Sequence, residues 1–356
     1  MHPRNRYADA EPDFAALSQQ YPSLQPYVAV HANGSGSIDF TDLQASRELT
    51  RVLLLHDFGI DWAIPPGQLI PPVTNRANYI HWLEDLLQLS SPAGQARVLG
   101  LDIGCGANLI YPLLGAAING WCFVGVDVTD VAIDWAQRNV NANPHLARLI
   151  HIRKLPHTSG LNAGVLLPAV QEGETFAFCM CNPPFFESME EAGQNPSTAF
   201  SGTADEMVCP GGELAFVSQM VHDSVQLGKR VHWYTSMVGK KATLKALRKL
   251  LHSCHVTALR TTEFFQGRTS RWALAWSFAV DPNLASKPLP RAQPKQQTQS
   301  ESARRELSVP LGVLPKAVVP KLLPALEAVS ERKQQRRGSA AGAVGYASAV
   351  YHPSQS

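Results

Sequence analysis

The spacing of apolar positions changes twice along the chain. After an irregular polar start, Leu43 to Phe58 and residues 79–89 carry apolar residues at helical intervals, so residues 1–90 read as an arm followed by helices. From Arg97 onward, short apolar runs alternate with helix-period stretches, which predicts a wound α/β sheet. Residues 98–103 form the first expected strand and end in Gly104-Cys105-Gly106; Cys122–Asp127 form the second, followed by a helix over 131–141. Residues 149–153, 177–180 and 231–235 supply three more strands, and a basic helix over 242–251 follows. Two β-rich runs, 258–265 and 272–278, flank a tight turn at Gln266-Gly267-Arg268; such a hairpin forces one strand to run antiparallel to the rest.

From 281 to about 299 the chain is rich in Pro, Gln, Ser and Lys, too poor in apolar side chains to offset the entropy of ordering, and reads as a linker. A short helix is expected near 314–329. Arg332-Lys333-Gln334-Gln335-Arg336-Arg337 then forms a basic segment suited to a nuclear address or a nucleic-acid patch. This divides the chain into an arm with helices (1–90), an α/β domain (91–280) and a flexible basic tail (281–356).

At 356 residues, 45% hydrophobic and 17% charged, the chain can bury one sizeable core. It has no apolar run of membrane-spanning length and no apolar segment after Met1-His2-Pro3-Arg4, so a soluble, intracellular protein without membrane association is expected. Six irregularly spaced cysteines predict reduced thiols, and Cys179-Met180-Cys181 lacks zinc half-site spacing, so no metal is expected. The formal net charge of +2 conceals an asymmetry: acidic residues exceed basic ones by 13 over 1–228, whereas basic residues exceed acidic ones by 9 over 229–271 and by 6 over 272–356. An acidic body with a basic final third is the footprint of a protein that meets a polyanion on one side.

A strand ending in an acid and a Gly-x-Gly turn suits a nucleoside ligand. Gly104 and Gly106 let the backbone approach, and the next helix offers free N–H groups. Position 109 is leucine, so the third glycine of the dinucleotide fingerprint is missing. Asp127, 23 residues after Gly104, closes the second strand where a carboxylate can accept both ribose hydroxyls. Asp102 either steadies the glycine turn or receives an ammonium group of the ligand.

Asn182-Pro183-Pro184-Phe185 follows the fourth strand directly, 78 residues after Gly104. An aromatic amine is a poor nucleophile because its lone pair is delocalised. An Asn side-chain oxygen and a backbone carbonyl, here those of Asn182 and Pro183, can accept both amine hydrogens and aim the lone pair at a methyl carbon. The paired prolines hold that carbonyl in an extended conformation. Phe185 offers a ring for stacking an unpaired base, worth roughly 1–3 kcal/mol. In-line displacement at a methyl group requires neither a metal nor a strong base.

Several segments together carry a specific resemblance: Met1-His2-Pro3-Arg4-Asn5-Arg6-Tyr7, Asn78-Tyr79-Ile80-His81-Trp82, Asp102-Ile103-Gly104-Cys105-Gly106-Ala107, Ile110-Tyr111-Pro112-Leu113-Leu114-Gly115-Ala116, Cys181-Asn182-Pro183-Pro184-Phe185-Phe186, and Gln266-Gly267-Arg268-Thr269-Ser270-Arg271-Trp272 with the residues through Ser277. Over residues 1 to about 280 the chain resembles the methyltransferase-like protein 16 family, the eukaryotic U6 small nuclear RNA adenine-N6 methyltransferases. The resemblance implies a Rossmann-like class I methyltransferase sheet with an antiparallel last strand and helices on both faces. It also implies S-adenosylmethionine as donor and a monomeric enzyme of the nucleus, with the cytoplasm as a further location. Expected substrates are U6 small nuclear RNA and, in some lineages, hairpins or splice sites of S-adenosylmethionine synthetase transcripts, with the adenine in a UACAGA-like context.

The family's donor residues match Arg76, Gly104, Asp127, a position near Ser159, and Asn182; Asp102 and Gly106 join them from the reading above. Its catalytic residues match Asn182, Pro183, Pro184 and Phe185. Asp127 stands where relatives often have Glu. Residues 153–159, with Lys154, match a lysine-bearing loop that covers the donor site in relatives, although the sequence between differs. RNA contacts are expected from Arg4 and Arg6, from Lys240, Lys241, Lys245, Arg248 and Lys249 around the basic helix, and from Arg268 and Arg271 at the hairpin. His81, His222, His232 and His252 read as packing or surface residues. Three rivals stay open: a ribosomal RNA adenine methyltransferase, an enzyme methylating a protein glutamine amide, and a catalytically idle RNA-binding module.

Overall fold

The computed structural model describes residues 1–90, 97–156, 164–192, 201–266 and 269–285. Near the start lie α1 (Phe14–Gln20), a two-stranded hairpin of β1 (Val28–Val30) and β2 (Gly36–Ile38), α2 (Leu43–Phe58) and α3 (Val73–Ser90). The core follows as β3 (Leu99–Ile103), α4 (Ile110–Asn119), β4 (Cys122–Asp127), α5 (Asp130–Ala142), α6 (Pro144–Ala147), β5 (Ile150–Lys154) and β6 (Phe176–Cys181). Two short turns of helix, α7 (Met189–Ala192) and α8 (Ala204–Met207), precede α9 (Gly212–Leu227), β7 (Val231–Val238), α10 (Lys241–Ser253), β8 (Ala258–Gln266), β9 (Thr269–Ser277) and α11 (Pro282–Ala285).

Seven strands form one sheet in the order β5-β4-β3-β6-β7-β9-β8. All pairs from β5 to β7 are parallel; β9 enters antiparallel between β7 and β8. The expected sheet and its antiparallel last strand are therefore present. Helix α4 is the helix expected after the glycine turn, whereas α9 stands where no helix was read.

Alternation along the strands feeds two cores. Phe178, Met180, Trp233, Ala273 and Ala275 face the α3 and α4 side, while Cys179, Cys181, Tyr234, Leu274 and Trp276 face α9 and α10. Close approach on the first side depends on Gly100, where an added Cβ would lie 2.5 Å from the Phe178 ring and 3.0 Å from Phe123.

The arm is irregular and docked. Asn78 Oδ1 on α3 accepts from His2 N (2.8 Å) and Asn5 Nδ2 (2.9 Å). Arg4 donates through Nε to Glu84 (2.7 Å) and through Nη2 to Asp85 (2.6 Å). Helix α3 reaches inward as well: Tyr79 Oη meets Thr235 Oγ1 at 2.8 Å, and Thr235 donates to the Cys179 carbonyl. The arm, α3 and the centre of the sheet are thus linked through side chains far apart in sequence.

Candidate active site

The strand order reverses between β3 and β6, and a crevice opens beyond their carboxyl ends, where ligands of open α/β sheets bind. The turn after β3 curls back with Gly104 at φ 69° and Gly106 at φ 63°, values that favour glycine. The Gly104 and Cys105 N–H groups both donate to the Val126 carbonyl (3.0 and 2.9 Å), so the turn is tied to β4. The Gly106 N–H donates to Asp127 Oδ2 at 3.0 Å, while Asp127 Oδ1 accepts from the N–H groups of Val128 (2.8 Å) and Thr129 (3.1 Å). The carboxylate is held in place beside a cavity of about 460 Å³. Gly104, Asp127, Asn182 and the part-exposed Val128 and Val131 line this cavity, whose size and mixed lining suit a nucleoside.

Asp102 is 1% exposed and neither carboxyl oxygen has a hydrogen-bond partner. Burial, with Asp127 nearby, pushes it up to about 8, although Arg76 pulls the other way. The glycine turn therefore takes no hydrogen bond from Asp102, which removes support for the first of its two expected roles.

Asn182 extends from β6, which pairs with β3 at Ile103 and Cys181. Its Oδ1 accepts from Arg76 Nη1 at 2.7 Å, and the same Nη1 donates to Tyr111 Oη at 2.8 Å. The Arg76 guanidinium lies over the Tyr111 ring, 5.5 Å from its centroid. Helix α3, the glycine-turn helix α4 and the end of β6 thus converge on one polar cluster. An amide oxygen has two acceptor sites, so Arg76 can fix the Asn182 side chain and leave one lone pair for another donor. Pro183 is buried; Pro184 and Phe185 are half-buried. Arg271, on β9, lies over Phe185, 5.6 Å from the ring centroid, and burial pushes its guanidinium below its ordinary value.

Other expected contacts divide into two groups. Lys241, Lys245, Arg248 and Lys249 are exposed on α10, opposite the buried Leu244, Leu247 and Leu251, and form a cationic stripe. Lys240, just before the helix, pairs with Glu191 (2.5 Å). Arg4, expected on RNA, is instead committed to Glu84 and Asp85, and Arg6 pairs with Asp57 (2.9 Å). Lys154 pairs with Asp130 at an exposed position. Ser159, Arg268, residues 157–163, most of the linker, the helix expected near 314–329 and the basic segment at 332–337 lie outside the described residues.

Two acidic residues of the site escaped the sequence reading. Glu206 lines the cavity and accepts from the N–H groups of Leu69 (3.0 Å) and Thr203 (2.9 Å), closing the segment 203–206 over the 67–70 loop; burial raises its carboxyl. The Glu213 carboxylate accepts from the N–H groups of Gly239, which packs against the Phe185 ring, and Lys240. A Thr-x-x-Glu capping box at Thr203 was the one local signal for Glu206. Nothing local marks Glu213.

A family model described as RNA methyltransferase matches residues 1–280. The RNA N(6)-adenosine-methyltransferase of Danio rerio is 46% identical over 299 residues, covering 81% of this chain and 61% of the relative. The ribosomal RNA large subunit methyltransferase F of Pectobacterium atrosepticum is 38% identical over 293 residues, covering 78% of this chain and 93% of the relative. Among solved structures, the human METTL16 catalytic domain in complex with a MAT2A 3′UTR hairpin is 44% identical with a TM-score of 0.70, covering 78% of this chain and 95% of that one. The N-terminal domain of human METTL16 in complex with SAH is 43% identical with a TM-score of 0.66, covering 78% and 98%. The chain spans between about half and three-fifths of the length of the vertebrate relatives it matches.

Proposed function

The chain belongs to the RNA methyltransferase family whose model spans residues 1–280, and from that membership we propose that it methylates the N6 amine of an adenine in structured RNA, with S-adenosylmethionine as donor. The observation that carries this reading is Asn182 Oδ1, fixed by Arg76 at 2.7 Å at the mouth of a nucleoside-sized cavity that Asp127 also lines. The bound donor supplies an electrophilic methyl group on a sulfonium. Asp127 accepts the ribose hydroxyls, and Val128 and Val131 offer apolar faces to the donor's adenine. Asp102 has two unpartnered oxygens suited to an ammonium, and Arg76, whose Nε is buried without a partner, suits a carboxylate.

Asn182 Oδ1 and the Pro183 carbonyl accept the two hydrogens of the target amine, drawing the nitrogen toward tetrahedral geometry and aiming its lone pair into the cavity. Phe185 stacks the unpaired base. The cations of α10 take RNA phosphates, and Lys154 stays outside the donor cavity. In this reading the chain works as a monomer in the nucleus on U6 small nuclear RNA, with S-adenosylmethionine synthetase transcripts as further substrates. The similarity to the bacterial enzyme over 93% of its length favours ribosomal RNA as the second reading.

Incubation with labelled donor and total cellular RNA, followed by nucleoside analysis and mapping, separates the two: N6-methyladenosine in U6 supports the first and in large-subunit RNA the second. Asn182→Ala should abolish transfer and retain RNA binding, because its side chain acts on the amine and grips no phosphate. Equal loss of both would remove the assigned role. Absence of donor binding by calorimetry would leave an idle RNA-binding module.

A further inference from the structure

The half-buried Phe185 is enclosed by groups that methyl transfer does not use directly. Glu213, in the first turn of α9, is 3% exposed and has no ion-pair partner within 4 Å among the described residues. Its carboxylate instead accepts two consecutive backbone N–H groups, Gly239 at 2.6 Å and Lys240 at 2.9 Å. Charge-assisted bonds of this kind are short and strong, and they anchor the loop between β7 and α10.

That loop touches the aromatic ring. A Cβ added at Gly239 would lie 2.9 Å from Phe185 Cδ1, 3.4 Å from Cε1 and 3.1 Å from Glu213 Oε2, so the Gly239 backbone sits between the ring edge and the carboxylate and packs closely against both. Arg271 covers one face of the same ring. Glu213 is also the carboxylate whose field favours the Arg271 charge, while Arg76 opposes it. Edge and one face of Phe185 are thereby occupied, and a base can stack only on the remaining face.

We infer that Glu213 is a positioning residue for methyl transfer: by clamping the Gly239–Lys240 backbone and balancing Arg271, it fixes the plane of the Phe185 ring against which the target adenine is aligned. The inference rests on the reading of Phe185 as the stacking platform. It assigns Arg271 to the ring as well as to RNA.

Two variants test it. Glu213→Gln keeps size and one acceptor but turns an amide donor toward a backbone donor. Gly239→Ala forces the ring edge to move, and the backbone at Gly239 is outside the positive-φ region, so alanine is tolerated conformationally. The probe is the RNA in which the wild-type product is mapped, unmodified for turnover and with 2-aminopurine at the target position for stacking. Both variants should lose at least tenfold in kcat and show weaker 2-aminopurine quenching, with donor affinity and RNA Kd within twofold of wild type. Wild-type kcat and quenching in either folded variant would overturn the inference, and if one variant melts below the assay temperature the other decides. Asn182→Ala, which should lose transfer and keep quenching, is the control. A wild-type protein that methylates no RNA would instead refute the underlying reading.

Discussion

Replacing Asp102 by Asn should stabilise the protein at neutral pH and leave its stability nearly unchanged in acid. The carboxyl is 1% exposed in the middle of the sheet, has no hydrogen-bond partner on either oxygen, and is pushed up to about 8 from an ordinary value of 3.8, chiefly by burial and next by Asp127. In the folded chain it keeps a proton that the unfolded chain releases above pH 3.8. Unfolding therefore releases one proton between about pH 4 and pH 8, and stability falls as pH rises through that window, flattening above it. Each unit of pH within the window lowers stability by about 1.4 kcal/mol, so by pH 7 the deficit is on the order of 4 kcal/mol relative to a side chain that never ionises. Asn is such a side chain, with nearly the shape of the neutral acid, and both leave polar atoms unpartnered; the two proteins should thus be similar near pH 4. Urea unfolding of wild type and Asp102→Asn at half-unit steps from pH 4 to 8 gives the difference directly, free of titrations common to both. A difference that stays flat, or that moves in favour of wild type as pH rises, would refute the assignment of a buried, protonated Asp102. Donor affinity, measured on the same samples, should fall in the variant, because Asp102 can release its proton when an ammonium binds beside it, whereas Asn can never supply a carboxylate.

Arg4→Ala should destabilise the protein by about 1.5 to 3 kcal/mol, since it leaves Glu84 with only His81 and Asp85 with only His2 as ion-pair partners among the described residues, while the salt dependence of RNA binding stays unchanged; a lower salt slope with unchanged melting would return Arg4 to the RNA footprint. Gly100→Ala places a methyl 2.5 Å from the Phe178 ring and should lower stability by roughly 1 to 3 kcal/mol in a thermal melt, and an unshifted melt would mean that the Phe123–Phe178 pair yields freely. Joint replacement of Lys245, Arg248 and Lys249 by Gln should weaken RNA binding and reduce the slope of log K against log salt by about 2, given about 0.7 to 0.9 per phosphate contact; an unaltered slope would take α10 off the RNA path.

Much of the sheet was legible because its signals are short-range. A buried parallel strand is a continuous apolar run, so Cys122–Asp127 could be bounded from six residues, and the turn at Gln266-Gly267-Arg268 implied an antiparallel strand. Asp127 and Asn182 were readable for the same reason: one closes a strand and the other follows directly on one, and a strand's carboxyl end fixes where those side chains stand. Helix α9 was missed because Glu213, Asp223 and Ser224 are buried on it, which erases the apolar stripe that periodicity detects.

What the sequence by itself determined was which segments become strands, where the glycine turn lies and which residue types stand at strand ends, all set by the local chain. Only the tertiary structure decided the partners: Arg76 with Asn182 across 106 residues, Arg4 with Glu84 across 80, and Glu213 with the Gly239 N–H across 26. A charge in the sequence is equally compatible with a phosphate, a carboxylate or water. The choice is made when packing of distant elements brings one of these within about 3 Å and excludes the others.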